Sequence, residues 1–169
     1  MPFEIITTDE QQALDTVLAR FRAENWQKLD QIEEAIEKLD QQHLPLRHIF
    51  TPGMYTRECF IPKGTLLVTR MHLKEHPFVV LKGEAAVWTV ETGWMKLTAP
   101  HLGVTQPGTR RLIYAKEDVV WATSHVTDKT DPDEVVSEVT YSEGDYLRLG
   151  VAETNNQDIF YTNRKGLTL

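Results

Sequence analysis

The chain has 169 residues, 41% hydrophobic and 25% charged, which fits one domain with a sizeable core plus an appendage and excludes a disordered chain. Its net charge of -7 argues against a nucleic-acid groove and against attraction to an anionic membrane. Cys59 is the single cysteine, which excludes an internal disulfide and a cysteine-cluster metal site.

No apolar run approaches the roughly 18 residues of a membrane span, and no signal-peptide core follows Met1. A reducing cytoplasm is therefore the expected location.

From about Thr8 to Gln42 the chain has neither proline nor glycine, and Leu14, Leu18, Phe21, Leu29, Ile32, Ile36 and Leu39 recur at helical spacing. Thr7 or Thr8 before Asp9 and Glu10 reads as an N-cap with acids in the first turn. Such a helix, about 33 residues, is about 50 Å long, more than one face of a small barrel can cover. Either its remaining apolar stripe meets a second copy or another protein as a protruding arm, or the helix breaks near Glu24-Asn25 into two shorter pieces.

After Pro45 the texture changes. Runs rich in β-branched and aromatic residues span His48 to Phe50, Tyr55 to Ile61, Gly64 to Met71, Pro77 to Leu81, Ala85 to Val90, Trp94 to Thr98, Gly103 to Thr105, Arg111 to Tyr114 and Val119 to Val126. Turns such as Thr51-Pro52-Gly53, Pro62-Lys63-Gly64, Glu91-Thr92-Gly93 and Gln106-Pro107-Gly108 separate many of them. Short strands without intervening helices predict a sandwich, jelly roll or barrel, with Trp88, Trp94 and Trp121 as packing anchors. Asp131-Pro132-Asp133-Glu134 reads as a helix start, and the stretch from Tyr141 onward lacks a period. The expected division is a helical arm over 1–45, a β-barrel over 46–127 and a tail over 128–169 that packs on the barrel or on a neighbour.

Residues 46–127 resemble a cupin, a jelly-roll barrel also described as a double-stranded β-helix. The first cupin motif runs glycine, spacer, His-x-His, glutamate and a closing glycine. Gly64 and Gly83 fit its two glycines, His72 its second histidine, His76 the glutamate slot and Arg70 the first-histidine slot. The second motif maps onto Pro107-Gly108-Thr109-Arg110-Arg111, with Arg111 in place of the histidine. The usual four-ligand set therefore does not carry over. The pattern is more similar to small cupin-like proteins encoded by tailed bacteriophages, through Ala99-Pro100, Tyr114-Ala115, Glu117-Asp118 and Val120-Trp121-Ala122-Thr123-Ser124-His125. That pattern carries a third histidine, here His125.

The residues themselves are compatible with this trio. His72 and His76 share strand parity, and His125 shares a face with Val119, Trp121 and Thr123. Three neutral imidazoles with open positions suit zinc, iron, nickel or manganese. The competing reading is a metal-free polar cluster, and His43, His48 and His101 are read as ordinary hydrogen-bonded histidines. Glu75 has the opposite parity and is expected in solvent. Arg110 and Arg111 are either an anion clamp or partners of nearby acids such as Glu117 and Asp118. Tyr114 is either a neighbour of the site or a packed core tyrosine.

The resemblance implies a phage protein with a non-catalytic assembly role. It is expected as a homo-oligomer that can dock phage structural proteins through residues 8–42, in the host cytoplasm or the virion. The alternatives are a metal-dependent enzyme of dioxygenase, isomerase or lyase type, and a small-ligand sensor. No catalytic residue is assigned, and neither nucleic acid nor membrane is an expected partner.

Overall fold

A computed structural model describes residues 8–141 and 166–168; in 8–23 only Gln12 and Thr16 have described side chains, and in 166–168 the backbone alone is described. The first element, α1 (Thr8–Glu37), is one continuous helix of 30 residues, about 45 Å long, with no break at Glu24-Asn25. Its buried stripe is Trp26, Leu29 and Ile36, with Ile32 partly buried, at the spacing that aligns one helix face. The expected stripe residues Leu14, Leu18 and Phe21 lie outside the described side chains. The helix stops short of Gln42 because Gln41 turns back: its Nε2 donates to the Ile36 and Leu39 carbonyls at 2.8 and 2.9 Å, satisfying groups the helix end leaves open. Leu39 is thereby exposed.

The strands follow. They are β1 (Gln41–Gln42), β2 (Leu46–Thr51), β3 (Met54–Ile61), β4 (Thr65–Val68), β5 (His76–Lys82), β6 (Glu84–Thr89), β7 (Gly93–Thr98), β8 (His101–Thr105), β9 (Leu112–Ala115) and β10 (Val119–Val126). The helix α2 (Pro132–Val139) comes next, then β11 (Gly166–Thr168). Strands β2 to β10 lie in the expected places, while β1 and β11 fall outside the expected runs. One sheet has the order β2-β3-β10-β5-β8 and the other β1-β11-β4-β9-β6-β7, with every pair antiparallel. Numbering β3 to β10 as strands 1 to 8 gives 1-8-3-6 facing 2-7-4-5, which is the jelly roll. The C-terminal strand β11 enters between β1 and β4, so this part of the tail pairs with the barrel.

Alternation along the strands builds three cores. β10 is buried at every second residue from Val119 to His125, and β6 at Ala85, Val87 and Thr89. Inside the barrel, Phe78, Val80, Val87, Ile113 and Trp121 pack together, and the Phe78 and Trp121 rings stack at 4.9 Å. Beneath α1, Trp26 and Leu29 meet Val68, Met71 and Leu112, with Trp88 at the edge. Val135 and Val139 of α2 pack on Tyr55. The expected helix start is real: Asp131 Oδ1 accepts from the Asp133 and Glu134 amides at 3.0 and 3.1 Å. Trp94 corrects the expectation of a packing anchor. It is 60% exposed, because it ends the β6–β7 hairpin opposite Trp88 and has no third layer above it. No helix among the described residues is long and apolar enough to cross a membrane.

Candidate metal centre and interior cavity

Three segments carry the histidines to one end of the barrel. His125 faces inward on β10, one alternation beyond Thr123. His76 opens β5, where Pro77 follows it and the chain turns into the sheet. His72 sits in the loop between β4 and β5, so the two histidines are not on one continuous strand. That loop is pinned on both sides. The His72 amide donates to the Thr109 carbonyl at 3.0 Å, Gly108 donates to the His72 carbonyl at 2.7 Å, and Leu73 donates to Val139 of α2 at 2.9 Å.

The rings meet. Centroids lie 4.4 Å apart for His72 and His76, 4.1 Å for His76 and His125, and 6.1 Å for His72 and His125. All three residues are buried. His76 Nδ1 lies 3.0 Å from the Lys74 carbonyl, which fixes the proton on Nδ1 and leaves Nε2 as a lone pair. His76 Nε2, His72 Nδ1 and His125 Nδ1 are buried without hydrogen-bond partners among the described residues.

Burial keeps these rings uncharged. Desolvation, followed by the neighbouring His76 and the Arg111 guanidinium, lowers the His72 pKa well below its ordinary value. Desolvation likewise lowers His76, against the opposing Lys74 carbonyl, and takes His125 down to about 3. Neutral imidazoles with unpaired nitrogens are the donor chemistry a divalent ion takes. As the side chains stand, however, no group of three or more His, Cys, Asp or Glu among the described residues is arranged to hold a metal ion. The backbone has gathered the donors without setting their final orientation.

Next to His72 the barrel holds a partly open cavity of about 50 Å³, its walls shared by Ile61, Ile113 and Trp121 with Arg57, Arg111 and Thr123. Arg111 is buried, donates Nη2 to the Thr105 hydroxyl at 2.8 Å and lies 4.9 Å from the Phe78 ring centroid. Arg57 lies on β3 in register with Thr123. Sequence reasoning missed it, although its position between Tyr55, Cys59 and Ile61 on the inward parity of β3 was a legible signal. Burial raises the Cys59 thiol to about 11, so it stays protonated and unreactive at neutral pH.

The two adjacent arginines divide. Arg111 turns inward, while Arg110 turns out to α1 and donates to the Asp30 and Glu33 carboxylates. The acids Glu117 and Asp118, expected as their partners, are on the surface, and Asp118 accepts from the Lys63 amide at 2.9 Å instead. Arg70 is buried and reaches the Thr140 hydroxyl at 3.3 Å. Tyr114 shares the face of Leu112, which packs under α1, and not that of Ile113, which lines the cavity. Glu75 is exposed, as expected, and His48 is tied to the Tyr55 hydroxyl at 2.7 Å.

No family model matches this sequence, and no curated protein is similar to it. Solved structures are similar in fold. An ectoine synthase from P. lautus is 13% identical with a TM-score of 0.49, over 61% of this chain and 78% of that one. A cupin-2 domain containing protein from Shewanella frigidimarina is 16% identical with a TM-score of 0.43, over 53% and 87%. An RmlC-like cupin family protein with a double-stranded β-helix fold from Methanocaldococcus jannaschii is 10% identical with a TM-score of 0.44, over 57% and 88%. These likenesses concern the fold alone, which the strand order already defines as a jelly roll, and they carry nothing about phage origin.

Proposed function

We propose that this protein is a metal-holding cupin-fold protein in which His72, His76 and His125 take one divalent cation. The observation that carries the reading is the meeting of three buried imidazoles, each with one ring nitrogen that lacks a partner among the described residues. Such atoms cost stability unless something binds them. A cation bound there would supply Lewis acidity and a cross-link between β5, β10 and the His72 loop. The chain's own part is to keep the rings neutral by burial, to aim His76 through the Lys74 carbonyl and to exclude bulk water.

Metal analysis of protein purified without chelator tests this. About one equivalent of zinc, iron, nickel or manganese per chain is expected. Substoichiometric metal, together with no rise in unfolding temperature on adding any of the four, defeats the reading.

A second reading, a non-catalytic assembly role through α1, is favoured by helix length. The helix is about 45 Å long, more than one face of a small barrel can cover. In this reading residues 8–23 join copies of the chain or dock a phage structural protein. Deleting residues 1–23 should then lower the mass seen by light scattering or abolish docking; an unchanged assembly would end it.

A further inference from the structure

We propose that the barrel cavity is a binding site for a small carboxylate, with its anionic head between Arg57 and Arg111 and its hydrocarbon part against Ile61, Ile113 and Trp121. The argument begins with charge. Arg57 has no hydrogen bond or ion pair with any described residue, and the groups that bear on it electrostatically are Tyr55, Cys59 and Arg70, none of them a carboxylate. Arg111 has the Thr105 hydroxyl and two aromatic faces, and no carboxylate within salt-bridge distance among the described residues. Arginine cannot shed its proton to escape this. Two guanidiniums therefore share the wall of one partly open space that no described acid lines.

Arg110, one residue away, shows what this fold does when it has acids to spend: it gives that guanidinium two. Uncompensated charge in a partly apolar cavity is costly, and a bound anion removes the cost.

One further group is unused. Thr123 Oγ1 is buried, has no partner among the described residues, and belongs to the same wall. Thr123 supplies a hydroxyl donor for a carboxylate oxygen. Burial pushes the Arg111 pKa down to about 10, and the Glu91 carboxylate, which forms no salt bridge with it, opposes this only in part.

The size of the space suits a small ligand. A volume of about 50 Å³ corresponds to about four water molecules, hence a solute of about four or five heavy atoms, such as acetate or propionate. The apolar walls favour a carboxylate with a short tail over phosphate, which offers them nothing.

The site uses the arginines rather than the metal, so it stands apart from the reading above. The test is calorimetry on the full chain after chelator treatment, with propionate, its neutral isostere propionamide, and inorganic phosphate. Propionate is expected to bind at least tenfold more tightly than propionamide and than phosphate. Arg57→Met should weaken propionate at least tenfold, and Arg111→Lys should weaken it while keeping the charge. Circular dichroism and unfolding temperature establish that each variant is folded. His125→Ala should lose metal and keep propionate, which separates failure of the metal site from failure of this one.

Equal affinity for propionate and propionamide overturns the proposal, as does binding untouched by Arg57→Met. Phosphate preferred over propionate overturns it too. Binding that appears only after metal is restored assigns the anion to the ion and not to the arginines. No binding at millimolar concentration also ends it.

Discussion

Arg110 donates Nη2 to the carboxylate of Glu33, a contact across 77 residues of sequence that fastens α1 to the barrel. The same guanidinium donates Nη1 to Asp30 and Nε to the Thr69 carbonyl, and its side chain is 2% exposed. Replacing it by methionine leaves two carboxylates facing an apolar surface. Arg110→Met should cost about 3 kcal/mol in urea unfolding, the low end for a broken buried pair because Asp30 is partly exposed. A variant as stable as the parent would show that the joint holds nothing.

Glu33 also sets a pH dependence. Burial is the largest influence on it, opposed by Arg110 and aided by Asp30 and Glu37, and the result is a pKa raised from 4.5 to about 7. Between those values the folded chain keeps a proton that the unfolded chain has released. Stability from this group is therefore full below about pH 4.5 and declines as pH rises to about 7. Glu33→Gln should flatten that part of the stability curve, measured by denaturant midpoints from pH 4.5 to 7.5. An identical slope in both proteins would assign the effect elsewhere.

The histidines give a direct metal test. His125→Ala removes one of the three proposed donors while leaving β10 paired on both sides with β3 and β5. Affinity for the cation should fall by at least about 100-fold, since removing a ligand costs more than disturbing its outer partners. Competition with a chromophoric chelator reads the affinity, and a loss below threefold would exclude His125 as a ligand.

Gly83 should be the most demanding turn glycine. Its φ is +81°, and an added Cβ would sit 2.2 Å from the Asp118 carbonyl oxygen, a backbone atom that cannot yield. Gly93 has a φ of +65° with open space around it. Gly93→Ala should cost about 1 kcal/mol, through backbone strain alone. Gly83→Ala should cost several times more, by forcing the β5–β6 hairpin away from β10. Thermal unfolding of the pair checks this, and equal losses would refute the close approach.

Much of the barrel was legible because its signals are local. Alternation and Gly-Pro punctuation place β2 to β10 within a few residues of their expected spans, and the same alternation turns Thr123 and His125 inward. Parity also says that Arg110 and Arg111 point to opposite sides. It does not say that Asp30 and Glu33, some 80 residues earlier, wait on one side and a cavity on the other. That pairing depends on where α1 lies against the second sheet, a contact no local pattern encodes. Trp94 was misjudged for the same reason, since burial depends on whether another layer covers the sheet.

The sequence contains the strand order only implicitly, but it contains the strands and their inward faces, His125 among them, because each follows from the two-residue period of an extended chain. What needed the folded molecule is convergence. The three rings meet because the His72 loop is held between Gly108, Thr109 and α2, and the two guanidiniums share a cavity because β3 and Arg111 approach from different sheets. Those are distances between parts of the chain that only closure of the barrel brings together.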